Sequence, residues 1–278
     1  MLKSDGRMTI AEQFSLEEIQ GFRFGSTLFG RPKMVSHIYY IDGLLIDTGH
    51  SKMRKQIVQS LSHLAVEQLF ITHHHEDHSG NLAELKNKFN SPAYASSLCA
   101  KMMKAPPKLS FAQQLTWGNR PPQHDIIPKD NFIATNKYRF EIIPIPGHAP
   151  DMVALYEPER KWLFSADLYL NSYISYFIYD ESMLTQINSI KCILTLDFDA
   201  LICSHNPQLT NGKEKLKEKL QFLEQFFDRV KQLHQKGYDE QSIFKTLDLN
   251  EKTKIKILSQ GQLSKMNMVR SVIRDLQQ

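Results

Sequence analysis

Residues 72–80 read Thr-His-His-His-Glu-Asp-His-Ser-Gly, and they follow a short apolar run. No fold requires six consecutive ligand-capable side chains, so this stretch points to chemistry. Side chains two positions apart on an extended chain share a face, so His73 and His75 are expected to point together. Asp77 keeps this alternation, and His78 breaks it as the chain enters the next helix. One turn can therefore supply two adjacent metal positions.

Three further ligand-type residues are predicted to stand in loops just beyond later apolar strands. They are His148, Asp167 and His205. Binding residues concentrate in loops that a rigid scaffold positions. Each of the three taken alone would be an ordinary surface residue, but together with residues 73–78 they complete a site.

The chemistry of these seven side chains favours divalent cations. Five imidazoles and two carboxylates suit Zn²⁺, and also Mn²⁺ or Fe²⁺. Seven ligands are too many for one tetrahedral ion, but they suit two ions about 3.5–4 Å apart. Two such cations lower the pKa of a shared water from about 15.7 toward about 7, which makes hydroxide available for attack on a carbonyl or phosphorus. Asp77 is the candidate catalytic residue, because it can orient the nucleophile or shuttle its proton.

The pattern resembles the metallo-β-lactamase-fold hydrolase superfamily, whose signature is His-x-His-x-Asp-His followed by a Gly-His, an Asp and a final His. The resemblance spans about residues 35–206, and the matching positions are His73, His75, Asp77, His78, His148, Asp167 and His205. It implies one metal ion on His73, His75 and His148. It implies a second on Asp77, His78 and His205, with Asp167 bridging the two. The Asp47-Thr48-Gly49 turn also resembles the family's, which implies that Asp47 orients a ligand histidine.

Differences between this sequence and individual branches of the superfamily narrow the range of expected functions. True β-lactamases of the superfamily generally lack the bridging aspartate, so Asp167 argues against antibiotic hydrolysis. Glyoxalase II-like thioesterases carry C-terminal helices over the substrate, and residues 209–278 resemble that arrangement. However, residues 149–152 read Ala-Pro-Asp-Met, where glyoxalase II commonly has a Gly-Ser pair. The resemblance therefore favours a related hydrolase branch over glyoxalase II itself.

The leading hypothesis is a dinuclear metal-dependent hydrolase of a small ester, thioester or lactone. The alternatives are a nuclease acting on single-stranded RNA, a mononuclear-iron persulfide dioxygenase and a non-catalytic metal-bound sensor. The nuclease hypothesis rests on charge: the chain carries a net +4, and from Leu209 onward 14 basic and 9 acidic residues leave +5. Such a surplus is typical of a solvated helical surface and only sometimes binds phosphate. A small-molecule substrate is accordingly the expected partner, with nucleic acid second and the oligomeric state open.

Composition sets the outer limits. The 278 residues are 41% hydrophobic and 23% charged, which is ordinary for a globular protein and excludes a disordered chain, a collagen and a coiled coil. There is no run of about 18 apolar residues, so no membrane span is predicted. The first ten residues lack an apolar block, and the three cysteines are odd in number and widely spaced. Both observations predict a cytoplasmic protein.

These patterns predict an α/β fold, a four-layer αββα sandwich of the metallo-β-lactamase type with a C-terminal helical appendage. The catalytic domain is expected over residues 1–208, with a proline-interrupted insertion over about 101–128. Residues 209–278 are predicted to be helical and to cover the site. The insertion and these helices should form the walls that select the substrate, while the ligands lie where strand-end loops meet at one edge.

Overall fold

In the computed structural model, residues 2–4, 7–27, 34–251 and 253–277 are described. They form two large sheets packed face to face between two layers of helices, and a third sheet of two short strands. The strands in chain order are β1 (Leu2–Ser4), β2 (Arg7–Leu16), β3 (Ile19–Thr27), β4 (Ser36–Ile41), β5 (Leu44–Ile46), β6 (Gln68–Ile71), β7 (Ala93–Ala95), β8 (Ile127–Pro128), β9 (Phe132–Ala134), β10 (Arg139–Pro144), β11 (Val153–Glu157), β12 (Trp162–Ala166), β13 (Phe177–Ile178), β14 (Ala200–Cys203) and β15 (Leu263–Ser264). The helices are α1 (Arg54–Ser60), α2 (Glu76–Ser79), α3 (Leu82–Phe89), α4 (Ser97–Lys104), α5 (Phe111–Thr116), α6 (Met183–Leu194), α7 (Gly212–Gln235), α8 (Glu240–Thr246), α9 (Thr253–Leu258) and α10 (Lys265–Asp275). This architecture confirms the predicted sandwich with C-terminal helices.

Within the described ranges, the first sheet contains β1 to β8 in chain order, antiparallel up to β5 and parallel from β5 to β8. The second sheet has the order β14-β12-β11-β10-β9, with β12 and β14 parallel. The parallel pairs place the carboxyl ends of β5 and β6, and those of β12 and β14, side by side. Four of the loops that matter for the site therefore start from two pairs of neighbouring strand ends.

The first three strands are an antiparallel ribbon that the sequence analysis did not predict. Leu16 pairs with Ile19 across a turn in which Glu17 has a left-handed φ of 50°. The middle of β2, from Ala11 to Gln13, is exposed. It therefore lacks the apolar alternation by which a half-buried strand is recognised.

Aromatic and aliphatic side chains fill the space between the two sheets. Tyr39 and Phe70 from the first sheet pack in one cluster with Phe140 and Phe164 from the second. The rings of Tyr39 and Phe164 meet edge to face with their centroids 5.6 Å apart. This cluster holds the two sheets in one relative position, and thereby the loops at their shared edge.

Each sheet buries its other face under helices. α1, α3 and α4 cover the first sheet, with Ile57, Leu85 and Met103 in the shared core. α6, α7, α8 and α10 cover the second sheet, where Leu201 lies in one cluster with Leu223. The helices after residue 208 therefore share their core with the sandwich.

The helix predictions succeeded where the apolar stripe is long. Leu216, Leu220, Leu223, Phe227 and Val230 recur at helical spacing, and α7 contains this stripe; Gly237, whose φ of 85° is typical of a glycine that ends a helix, follows it. The apolar spacing over residues 52–64 predicts one helix, but α1 ends at Ser60, and a 3-10 turn over Ser51–Met53 precedes it. The spacing over residues 79–89 also predicts one helix, but α2 and α3 are separated at residues 80–81. None of the described helices is both long and apolar enough to cross a bilayer.

Candidate metal centre

The turn between β6 and α2 presents four candidate ligands within six residues. His73 follows β6 after one intervening residue, Thr72, and His75 has extended backbone immediately before α2. Asp77 and His78 lie on that single helical turn, so the change from a period of two to a period of 3.6 redirects His78 relative to His73. The local backbone thus divides one short segment between two neighbouring positions, as the sequence predicted.

The other three candidates come from three separate loops. His148 follows β10, Asp167 follows β12 and His205 follows β14. Gly147 precedes His148 with a φ of 130°, and a Cβ there would lie 2.6 Å from the backbone nitrogen of Gln186. Glycine is required at this position because both the φ and the close approach of α6 exclude a side chain.

The structure brings all seven predicted residues together. Their donor atoms form two groups, and within each group all atoms lie within 4.8 Å of one another. The first group is His73, His75 and His148, and the second is Asp77, His78, Asp167 and His205. A separation of about 10 Å between donor atoms would exclude a shared site. The donor atoms within each group lie far closer together than that.

Asp167 lies between the two groups. Its Oδ2 is 3.4 Å from His148 Nε2, in the first group, and 3.1 Å from His205 Nε2, in the second. Its Oδ1 is 3.3 Å from His78 Nε2. Across the first group, His148 Nε2 and His75 Nδ1 are 3.1 Å apart. One carboxylate therefore reaches both sets of imidazoles.

Several buried donor atoms have no hydrogen-bond partner in the described part of the chain. Three of them belong to candidate ligands, namely His73 Nε2, His78 Nε2 and Asp167 Oδ1. The last two face each other as an ion pair at 3.3 Å. An unsatisfied buried polar atom costs about 1–3 kcal/mol, so His73 Nε2 beside this buried ion pair favours a bound ligand. Imidazole nitrogen and carboxylate oxygen are donors that Zn²⁺, Mn²⁺ and Fe²⁺ accept. The residues present thus fit a divalent metal site.

The outer ring nitrogens of four histidines are held by the surrounding protein. His78 Nδ1 lies 2.7 Å from Asp47 Oδ2, and His205 Nδ1 lies 2.6 Å from the Val35 carbonyl oxygen. His73 Nδ1 is 3.1 Å from Thr72 Oγ1. The fourth, His148 Nδ1, is hydrogen-bonded to the carboxylate of Glu181. Such partners fix the tautomer and orientation of an imidazole, leaving Nε2 for a metal ion.

Asp47 is tied to this arrangement through the parallel pair β5 and β6. It follows β5 with a left-handed φ of 62° and accepts hydrogen bonds from the Thr72 backbone N–H at 2.9 Å and the Thr72 hydroxyl at 3.0 Å. Its other oxygen contacts His78. The structure therefore places Asp47 directly behind a candidate ligand, where the resemblance located it.

Opposite charges stabilise one another within the second group. Burial lowers the pKa of His78, but the carboxylates of Asp167, Asp47 and Asp77 outweigh it and raise that pKa well above its ordinary value. Burial raises the pKa of Asp167, but the imidazoles of His205 and His78 hold it well below its usual range. Without metal, protonated imidazoles are thus the counter-ions of these carboxylates.

Two histidines of the first group have a different electrostatic character, whereas burial of the third, His148, is outweighed by Glu181 and Asp167, which raise its pKa. Burial lowers the pKa values of His73 and His75 well below their ordinary value, and their imidazole neighbours lower them further. Both rings are therefore neutral in the metal-free protein, which is the form that binds a metal ion.

The residues between the candidate ligands are buried and paired, which sequence reasoning left open. His74 contacts Asp151 at 2.8 Å through its ring, and its backbone N–H donates to the same carboxylate at 2.9 Å. Glu76 lies 3.6 Å from Arg120 of the insertion. Burial, together with the nearby Asp77, raises the pKa of Glu76 to about 7. Both residues brace the turn.

The insertion approaches the second group through Trp117. Its indole lies against His50, with ring centroids 4.9 Å apart, and 6.2 Å from the ring of His205. A cavity of about 700 Å³ opens beside it, lined in part by Lys52, Arg54 and Phe111. None of the seven candidate ligands lines this cavity, so it lies beside the cluster.

Fold and site together define the class: a metal-dependent hydrolase built on an αββα sandwich. Residues 32–205 match the model of the Metallo-beta-lactamase superfamily, and the chain belongs to this superfamily. A Beta-lactamase domain protein from Burkholderia ambifaria superposes with a TM-score of 0.68 at 14% identity, covering 100% of this chain and 91% of that one. That likeness concerns the fold alone.

Curated relatives with a described activity are hydrolases. A hydroxyacylglutathione hydrolase from Bdellovibrio bacteriovorus is 29% identical over 105 residues, which is 38% of this chain and 35% of that protein. Hydroxyacylglutathione hydrolase GloC from Haemophilus influenzae is 27% identical over 181 residues, covering 62% of this chain and 83% of that protein. The chain therefore spans about a third of the first relative and most of the second.

Proposed function

We propose that this protein is a dinuclear metal-dependent hydrolase that cleaves a small acyl thioester, ester or lactone. The observation that carries the proposal is the convergence of seven nitrogen and oxygen donors into two adjacent groups with unsatisfied buried atoms between them.

The two groups define how the ligands are shared. One ion would be held by His73, His75 and His148, and the other by Asp77, His78 and His205. Asp167 would serve both ions, which its short approaches to His148 and His205 support. Zinc is the proposed metal because the set is rich in imidazole, and iron or manganese would accept the same donors.

When bound, the two cations supply Lewis acidity and a hydroxide at neutral pH. The chain's own contribution begins with Asp77. Burial raises the pKa of this carboxyl, but His78 and His205 lower it below its usual range, so Asp77 is ionised. An ionised carboxylate accepts a hydrogen bond from the attacking water and orients it toward the acyl carbon. The water oxygen forms a bond to the acyl carbon, the C–S or C–O bond of the substrate breaks, and the departing thiolate or alkoxide takes up the proton that the water releases.

The choice of an acyl substrate rests on the relatives. Two relatives are described as hydroxyacylglutathione hydrolases, which act on a thioester. Asp151 stands where glyoxalase II commonly has part of a Gly-Ser pair, and in this chain its carboxylate binds His74. We therefore propose a small acyl substrate without assigning the glutathione conjugate itself.

The proposed substrate walls are the insertion over residues 101–128 and the C-terminal region over 209–278. Trp117 supports the first, since its ring lies beside His205. Lys219 of α7 supports the second, because its Nζ donates to the carbonyl oxygen of Leu168, next to Asp167, at 2.6 Å. Both segments thus contact the loops that carry candidate ligands. We also propose that the catalytic domain ends near residue 208, where the C-terminal helical region begins.

The test combines metal analysis with a substrate panel. The purified protein should contain up to two divalent ions and should hydrolyse acyl thioesters, aryl esters or lactones, with activity lost on chelation and restored by zinc. His75→Ala should lower the activity of the zinc-supplemented protein more than about 100-fold, since removing even a ligand's partner costs 10–100-fold. His63→Ala is the matched control, because this histidine is exposed in the turn that follows α1.

Two results would overturn the proposal. The first is a metal-loaded protein that hydrolyses nothing on the panel. The second is turnover of single-stranded RNA or a persulfide in place of the acyl substrates, which would assign the site to another reaction.

A further inference from the structure

We propose that Glu181 is a positioning residue for His148, and that the C-terminal helix α10 holds Glu181 in place for this role. The inference rests on the proposed function, since it takes His148 to be a metal ligand. It adds that the metal site depends on residues 265–275, although the family match ends at residue 205.

The hydrogen bond between Glu181 and His148 is buried, and both carboxylate oxygens of Glu181 accept hydrogen bonds. One carboxylate oxygen accepts a hydrogen bond from His148 Nδ1, and the other accepts from the backbone N–H of Ile178 at 3.0 Å. Both side chains are 8% exposed. With both oxygens engaged, the carboxylate has one orientation, and it turns His148 Nε2 toward His75 and Asp167.

Side chains of helix α10 form hydrogen bonds with the backbone of Glu181. The hydroxyl of Ser271 and the guanidinium of Arg274 both donate to the Glu181 carbonyl oxygen, at 2.8 Å and 2.7 Å. Arg274 also donates to the carbonyl oxygen of Tyr179 at 2.9 Å. The Ser271 oxygen accepts the backbone N–H of Met183 at 2.8 Å. These contacts fix the turn of chain from which the carboxylate projects.

A second route runs from α10 to the histidine loop. Asp275 accepts hydrogen bonds from the Ser182 hydroxyl and the Leu184 backbone N–H, both at 2.9 Å, and so caps α6. The backbone N–H of Ser182 in turn donates to the Gly147 carbonyl oxygen at 3.0 Å. The ring and the backbone of His148 are therefore both positioned by elements that α10 holds.

This arrangement sets His148 apart from His78, whose carboxylate partner is Asp47 on the neighbouring strand end. Asp47 belongs to the same sheet as the turn that carries His78. Glu181 belongs to a segment that packs on the C-terminal helices. Loss of Glu181 should accordingly weaken the first metal group and leave the second intact.

The experiment measures metal binding by the full chain. Glu181→Ala, Glu181→Gln and the control Glu224→Ala are stripped of metal and titrated with zinc against a chelator of known affinity, and again with cobalt(II) by visible spectroscopy. Glu224 is a matched control because it forms an ion pair with Lys191 at the surface of the same helical layer. The thermal unfolding of each metal-free protein is recorded in parallel.

Glu181→Ala should bind one of two zinc ions 10–100-fold more weakly and alter the cobalt spectrum of that ion, while the second ion binds as in the unaltered protein. Glu181→Gln should lose less, because its amide oxygen can still accept from Nδ1. Ser271→Ala should weaken the same ion in the same direction. A merely structural role predicts lower unfolding temperatures without any change in zinc affinity or cobalt spectrum.

Unchanged affinity for both zinc ions in Glu181→Ala and Glu181→Gln would overturn the inference. If Glu181→Ala does not fold, the isosteric Glu181→Gln decides by the same measurement. If the unaltered protein binds no divalent metal, the proposed function fails and this inference fails with it. If the unaltered protein binds two ions and hydrolyses its substrate while both variants match it, the positioning role alone fails.

Discussion

The two halves of the candidate metal centre are built in different ways. One turn, residues 73–78, supplies four of the seven side chains, while His148, Asp167 and His205 come from three loops of the second sheet. The turn is oriented by its immediate neighbours in the first sheet, Asp47 among them. The scattered half is oriented across long sequence separations.

The difference shows where each half is vulnerable. The turn depends on its own backbone geometry and on contacts with Asp47, Asp151 and Arg120, none of which lies in a helix, so a change in a distant helix should leave it intact. The scattered half depends on contacts with α6, α7 and α10, none of which supplies a candidate ligand. Substitutions behind each half should separate the two effects.

The largest effect is expected at Gly147, behind the scattered half. Gly147→Ala should lower the free energy of unfolding of the metal-free protein by about 2–3 kcal/mol, because its positive φ is strained and its Cβ would press against the backbone of Gln186. Gly237→Ala is the control, since φ there is 85° but nothing lies within 4 Å of the added Cβ. It should cost about 1 kcal/mol from the φ alone. Equal costs in urea unfolding would contradict the close approach of α6.

The next largest effect is expected at Asp47, which contacts His78 of the turn. Asp47→Asn should weaken zinc binding by 10–100-fold, because the amide is a poorer partner for the His78 imidazole. Asparagine tolerates the left-handed φ of this position, so the fold should be retained. Asp42→Asn is matched, since Asp42 also has a left-handed φ, 44°, but lies in the β4–β5 turn and accepts from Lys137. Zinc titration of both variants checks the result, and an Asp47→Asn affinity equal to the control's would separate Asp47 from the site.

The smallest effect concerns the pH dependence of stability and Lys219. Burial lowers the pKa of this ammonium from 10.5 to about 8, so between these values the unfolded chain binds more protons than the folded one. The free energy of unfolding of the metal-free protein should therefore gain about 1 kcal/mol from pH 8.5 to 9.5 through this group. Lys219→Met should remove that gain, and Lys217→Met, whose side chain is 52% exposed on the same helix, should keep it. Parallel urea titrations at the two pH values measure the difference, which should vanish if Lys219 titrates normally.

Much of the fold was predictable because its signals are local. The strands β4, β5, β6, β10, β11, β12 and β14 are short apolar runs with turn residues at their ends, which is the local pattern by which a strand is recognised in a sequence. β2 was not predicted, because its exposed residues show no alternation of apolar and polar side chains. Helix α6 was also not predicted, although its buried side holds Ile187 and Ile190.

The supports of the site were the hardest part to predict. Asp47 was identified through its turn, because that turn has a recognisable sequence. Glu181 stands before a helix in an otherwise unmarked segment, and nothing in its neighbours indicates a partner 33 residues away. From the sequence alone, His74 and Glu76 could either face solvent or brace the loop. Only the structure shows that His74 is buried against Asp151 and Glu76 against Arg120.

By itself, the sequence determined which atoms can bind: a run of imidazoles and carboxylates cannot be mistaken for core, and its spacing of two positions and then a helical turn is a property of the backbone alone. The tertiary structure decided which of these atoms meet and what holds them. His148, Asp167 and His205 converge because parallel strands end at one edge, and His148 faces inward because α10 holds Glu181 behind it. The physical reason is range: local backbone geometry is encoded within a few residues, whereas the orientation of a buried ring is set by whichever distant groups the packed layers bring against it.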